Sequence, residues 1–307
     1  MTSSPPPWGP PTTPIGQPAF VTTATPAHPT LPLAPGIGAL VVLAASLVAS
    51  KYLLDLVVDF EWPVAVYVAL LAVAGYGPSV AWWWYATDRW GSGRRLDDVG
   101  ARPRWTDLAW GPLIWICTVV VQTVIGVVVL ALDVPVTNNT DDLGELASDR
   151  TYAVAIIITA VVAAPLVEEL VFRGIVMRSL CSTMPGVAAV VVQGVLFGIV
   201  HVDPVRGAGN LGLVLILSGV GISFGTAAYL LRRIGPTIVA HAIFNGVVML
   251  LLLSGVRDRI IEDNPDLFDG RAATSVVERR SAAEEVAVVD QADITEPDGR
   301  RDPRTCV

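Results

Sequence analysis

Six polar residues stand in apolar surroundings in the second half of the 307-residue chain, and their types suit hydrolysis. The stretch AAPLVEELVFRGIV places Glu168, Glu169 and Arg173 within six positions. His201 closes the run FGIVH, and HAIFN carries His241 and Asn245 four residues apart. A charged group at bilayer depth costs about 2.5–3.5 kcal/mol even on the lenient insertion scale, so ionisable residues there mark functional sites. Glu169 and Arg173 stand at i and i+4 with the acid on the N-terminal side, the better order for an ion pair. Glu168 lies about 100° round the helix from Glu169 and is left for other work. The i, i+4 spacing likewise puts His241 and Asn245 on one helix face. A carboxylate in an apolar site is a stronger base near neutral pH, and fixed donors in a water-poor cavity stabilise developing negative charge. Glu168, His201 and His241 also make up a carboxylate-plus-two-imidazole set, which is a catalytic zinc set with one open position. The chain has no HExxH, which would have made a metal the easy choice, so a divalent metal such as zinc stays open.

The elements that must carry these groups are membrane helices. Residues of the AVILMFWYC set make up 53% of the chain, DEKR only 16%, and mean hydropathy is +0.59. A soluble protein carries roughly 25% charged residues. Seven apolar runs are read as crossing a ~30 Å hydrocarbon core: 36–59, 62–86, 109–132, 151–180, 186–202, 210–232 and 236–255. The fifth is short. The expected fold is therefore all-α, a polytopic membrane helix bundle of about seven transmembrane helices, within a range of six to eight, flanked by disordered tails. Pro165, just upstream of the paired glutamates, is expected to kink its helix. Trp82, Trp83, Trp84 and Trp90 at one end of the second run and Trp105 and Trp110 before the third read as interfacial belts.

Charge is concentrated outside the runs. Residues 1–35 hold 11 of the 23 prolines and no charged residue, which reads as a Pro-rich disordered tail. Residues 256–307 hold 13 of the 28 acids and 8 of the 20 bases, and read as an acidic, mostly disordered tail. Between the tails, 36–133 forms the N-terminal transmembrane helices, 134–150 an extracytoplasmic loop, and 151–255 the catalytic core. Arg89, Arg94, Arg95, Arg102 and Arg104 in the 87–108 loop, with Arg232 and Arg233 in the 231–236 turn, place both segments on the cytoplasmic side. That gives a cytoplasmic N-terminus in the cell (plasma) membrane. A pI near 4.8 without a basic run excludes nucleic acid as the main partner. The lipid bilayer and a membrane-associated substrate are the partners this organisation implies. Three scattered cysteines, Cys117, Cys181 and Cys306, make neither a disulfide framework nor a thiolate metal site.

Counting rises along the helices puts Glu168 about 18 Å and His201 about 24 Å from the turn near 181–185, whereas His241 lies only about 8 Å from its own turn. The last turn must therefore lie deeper than the others for the three to meet.

EExxxR at Glu168–Arg173 followed by Gly174, FxxxH at Phe197–His201 and HxxxN at His241–Asn245, in that order on successive apolar helices, resemble the CAAX protease and bacteriocin-processing (Abi) family of intramembrane endopeptidases. The match covers roughly residues 150–255. The resemblance implies hydrolysis of a peptide bond in a membrane-associated or prenylated protein or peptide. By position it makes Glu168 the base that activates water, with His201 helping to hold that water. It gives His241 and Asn245 to the oxyanion, and Glu169 and Arg173 to bracing the helix. It also leaves a non-proteolytic scaffold or bacteriocin-immunity protein as the alternative. A proton-coupled transporter would need carboxylates spread along a path, whereas these converge.

Overall fold

The computed structural model describes residues 31–136, 150–202 and 210–254. The Pro-rich tail up to residue 30, most of the 134–150 loop and the acidic tail from residue 255 lie outside the described residues. Eight helices and no strand make up what is described. They are α1 (Leu33–Val57), α2 (Val64–Trp90), the short α3 (Arg95–Asp98), α4 (Asp107–Ala131), α5 (Arg150–Leu180), α6 (Gly186–Ile199), α7 (Asn210–Leu231) and α8 (Gly235–Leu253). Six of these, all but α3 and α6, are long and apolar enough to cross a membrane, and the chain is a multi-pass membrane protein. The fifth apolar run is helical for only 14 residues, about 21 Å, and falls short of the core thickness.

Small residues set how closely the helices approach, as expected where lipid removes the hydrophobic drive between helices. Gly194 of α6 and Gly221 of α7 back onto each other, so that a Cβ on Gly221 would stand 2.7 Å from the Gly194 carbonyl oxygen. The Trp82 ring of α2 packs over Gly38 of α1, and its Nε1 donates to the Pro35 carbonyl at 3.0 Å. On α1, Gly36 faces Ser179 of α5, and a Cβ there would stand 2.6 Å from the Ser179 Cβ. Helix α4 lies against α8 through Gly111 and Val239. Its opposite face, with Val120, Val124 and Val127 exposed, is left for lipid. The buried core is built from α5 outward, with Val171, Phe172, Ile175 and Val176 meeting Phe197 and Phe224.

The two segments assigned to one side of the membrane meet at one end of the bundle. Ile234 N–H donates to the Gly100 carbonyl at 2.9 Å, and Arg233 pairs with Asp107 at 2.6 Å. Arg178 on α5 donates to the Arg232 carbonyl at 3.1 Å. The turn before α8 is thus tied to α5 through the Arg178 side chain. Despite the gap that simple rise counting leaves, His241 reaches both glutamates, at 3.1 Å from Glu169 and 3.9 Å from Glu168. Cys181, beside this end, is half-buried, and burial pushes its thiol up from the ordinary value.

Candidate active site

Helix α5 departs from regular α geometry on both sides of its paired glutamates. Residues Thr159–Ala163 and Leu170–Val176 form π turns, leaving Ala164–Glu169 as an α segment between them. In the first π turn Ala164 N–H bonds the Thr159 carbonyl, five residues back. The next pair in that register is residue 165 with Ala160, and Pro165 has no N–H to give. The amide of Asn245 on α8 supplies the missing donor, with Nδ2 at 2.7 Å from the Ala160 carbonyl. Proline here opens a backbone acceptor and a neighbouring helix fills it.

Glu169 and Arg173 are both fully buried. Arg173 Nη1 donates to Glu169 Oε1 at 2.8 Å, and Nη2 donates to the Gly221 carbonyl at 3.0 Å. Gln193 Nε2 reaches the same carbonyl at 2.9 Å, so α5, α6 and α7 are joined at one oxygen. The guanidinium carbon lies 4.5 Å from the Phe197 ring centre, 5.5 Å from Phe224 and 6.0 Å from Phe172. Three aromatic faces and two hydrogen bonds thus surround the cation. Such an arrangement suits arginine, which offers a planar fork and stacks on rings, and does not suit lysine.

Glu168 points elsewhere, as its offset on the helix requires. Its side chain is 15% exposed. Among the described residues Tyr76 of α2 is the donor that reaches it, with the phenol oxygen 3.2 Å from Glu168 Oε1. Glu168 Oε2 lies 3.9 Å from His241 Nε2. That distance is too long for a direct hydrogen bond and leaves the two atoms facing one another. His241 Nδ1 lies 3.1 Å from Glu169 Oε1. Glu169, paired with Arg173, is an acceptor, so Nδ1 must carry the hydrogen. The ring then turns Nε2 towards Glu168. One histidine therefore spans the two carboxylates.

The structure brings Glu168, Glu169, Arg173 and His241 into one connected group. His201 and Asn245 belong to its surroundings. The His201 Nδ1 lies 2.7 Å from the Phe197 carbonyl, its own helix's acceptor four residues back, and no hydrogen bond or ion pair joins its ring to Glu168 among the described residues. Phe197 sits between the two imidazoles, with ring centres 4.9 Å from His201 and 6.0 Å from His241. Asn245 is turned to the α5 backbone. Among the described residues no three His, Cys, Asp or Glu side chains gather to hold a metal ion. Glu168, His201 and His241 do not converge as that ligand set requires, so no step below runs through a metal.

Two contributors escaped the sequence reading. Tyr76 sits in GYGPS within an apolar run, where a tyrosine reads as ordinary filling, and Gln193 is a single amide in a valine-rich helix. Only the break that Gly75, Gly77 and Pro78 make around Tyr76 could have drawn attention to it.

Residues 150–247 match the family model described as type II CAAX prenyl endopeptidase Rce1-like. Over 128 residues the chain is 27% identical to a Bacillus subtilis (strain 168) protein named "Putative membrane peptidase YdiL", an overlap of 39% of this chain and 50% of that protein. The chain therefore spans about half the length of the curated relative it matches. No solved structure shows a significant match. All six motif residues fall inside the matched segment, and Tyr76 falls outside it.

Proposed function

We propose that this chain is an intramembrane endopeptidase of the CAAX protease and bacteriocin-processing family, in which Glu168 activates a water molecule. The single observation carrying this reading is the 3.9 Å separation of Glu168 Oε2 and His241 Nε2 beside a buried ion pair. With the His241 ring neutral, a water that enters as the two atoms part slightly directs its two protons at them and turns its lone pair outward, towards a carbonyl carbon. As the water oxygen bonds to that carbon, its proton passes to Glu168. Collapse of the tetrahedral intermediate breaks the C–N bond, and Glu168 returns the proton to the leaving amine.

Glu169 holds the His241 ring through Nδ1 and so directs Nε2 at the reacting water. Asn245 acts on this reading through α5, by holding the turn that precedes Glu168. His201, held through Nδ1 on the Phe197 carbonyl, stands one aromatic ring away from His241. The substrate class is a membrane-associated or prenylated polypeptide, and the chain acts from the cell membrane with its N-terminus on the cytoplasmic side.

The test compares cells carrying the wild type with cells carrying Glu168→Gln at equal membrane level, by mapping new protein termini in the membrane fraction. Termini seen only with the wild type are expected. Identical termini, with both proteins well inserted, would sink the proteolytic reading in favour of a scaffold or immunity protein.

A further inference from the structure

The phenol of Tyr76 is held in place by more than its bond to Glu168. Six residues further along α2, Trp82 packs on Gly38 and donates to the Pro35 carbonyl at 3.0 Å. This fixes α2 against α1 about 9 Å from the level of Tyr76. At Gly75 a Cβ would meet only the Ser50 hydroxyl, at 3.5 Å, so α1 and α2 also run close beside the tyrosine itself. From this fixed helix the Tyr76 hydroxyl reaches across to α5 and donates to Glu168 Oε1 at 3.2 Å.

A glutamate has three rotatable side-chain bonds, and its terminal torsion is broad. Glu168 has no counterpart of the arginine and aromatic enclosure that immobilises Glu169. Left to itself, it could turn either oxygen towards His241 or swing into the 15% of its surface that is open. The Tyr76 hydrogen bond removes that freedom by occupying Oε1, and Oε2 is then the oxygen that faces His241 Nε2.

We propose that Tyr76 is a positioning residue of the site, holding the Glu168 carboxylate in the orientation that lets Oε2 and His241 Nε2 share one water. The inference rests on the reading of Glu168 as the base. It places part of the machinery on α2, outside the segment that matches the family model.

The test uses the full chain in lipid nanodiscs, with a fluorogenic farnesylated peptide ending in a CAAX sequence as probe. Tyr76→Phe is expected to lower kcat about tenfold, the rate equivalent of one hydrogen bond to a charged group, with KM within about twofold. In parallel, the infrared carboxylate stretch of Glu168 is isolated by subtracting the spectrum of Glu168→Gln. It is expected to shift when the phenol is removed, an effect a merely space-filling tyrosine would not produce. An unchanged kcat or an unmoved Glu168 band would overturn the proposal. If the wild type cleaves no probe, a prenylated substrate is ruled out, while the infrared band still decides whether Tyr76 holds Glu168. If Tyr76→Phe fails to fold, 3-fluorotyrosine at position 76 keeps the ring and hydroxyl and makes a stronger donor. The band must then move in the opposite direction, and a stationary band overturns the proposal.

Discussion

Two adjacent glutamates on α5 occupy opposite kinds of environment. Glu169 is fully buried beside Arg173, and the arginine is enclosed by Phe172, Phe197 and Phe224 and tied to α7 through Gly221. Glu168 is 15% exposed, with Tyr76 on one oxygen and His241 3.9 Å from the other. One carboxylate is locked in structure, and its neighbour is the one proposed above to act on water. His241 connects them, taking its orientation from the first and facing the second. This division of labour lets a helix carry a charge at bilayer depth without loosening, and it makes distinct demands on each residue.

The largest effect that would sharpen the contrast is on turnover. Glu168→Gln keeps shape and polarity but removes the base, so cleavage of the farnesylated probe should fall by roughly 10²- to 10⁴-fold. Its thermal midpoint in detergent should match the wild type. A marked loss of stability would show that Glu168 is structural too, and the comparison would break.

Next in size is the stability of the buried pair. Arg173→Ala leaves Glu169 uncompensated, and removing one member of a buried ion pair costs about 3–5 kcal/mol. The variant should accumulate poorly in membranes, as measured by blotting and by detergent-solubilised monodispersity. Normal accumulation would mean that Glu169 does not depend on its partner. Arg173→Lys is expected to be milder, at about 1–3 kcal/mol, because one ammonium cannot reproduce the fork to Glu169 and Gly221. Thermal unfolding of the solubilised protein measures it.

The smallest effect concerns the turn that delivers Glu168. Asn245→Ala should cost about 1 kcal/mol by stranding the Ala160 carbonyl. That cost should shrink in a Pro165→Ala background, where residue 165 regains an N–H. A double-mutant cycle on thermal stability reads the coupling, and strict additivity would separate Asn245 from the proline.

The Glu169–Arg173 pair was legible in the sequence because i, i+4 spacing is a property of one helix and needs no neighbour. For the same reason Glu168 could be assigned a different direction before any packing was known. The apolar runs marked the spans to within a few residues, because composition and length alone decide whether a helix can cross a bilayer. The short fifth run and the turn before α8 were visible only as mismatches in counted length. The contacts of His241 with Glu169 and Glu168 resolve the second.

What the sequence by itself determined, then, is local: the helices, the ion pair, and the six polar residues worth following. Tertiary structure alone decided that Tyr76 meets Glu168 across 92 residues of chain, that Gly221 offers its carbonyl to both Arg173 and Gln193, and that Asn245 turns to Ala160. Each of these depends on how far one helix is shifted and rotated against another. That register is fixed by glycine contacts, by π turns that alter the phase of α5, and by a proline that frees an acceptor, and none of these leaves a periodic trace in the sequence.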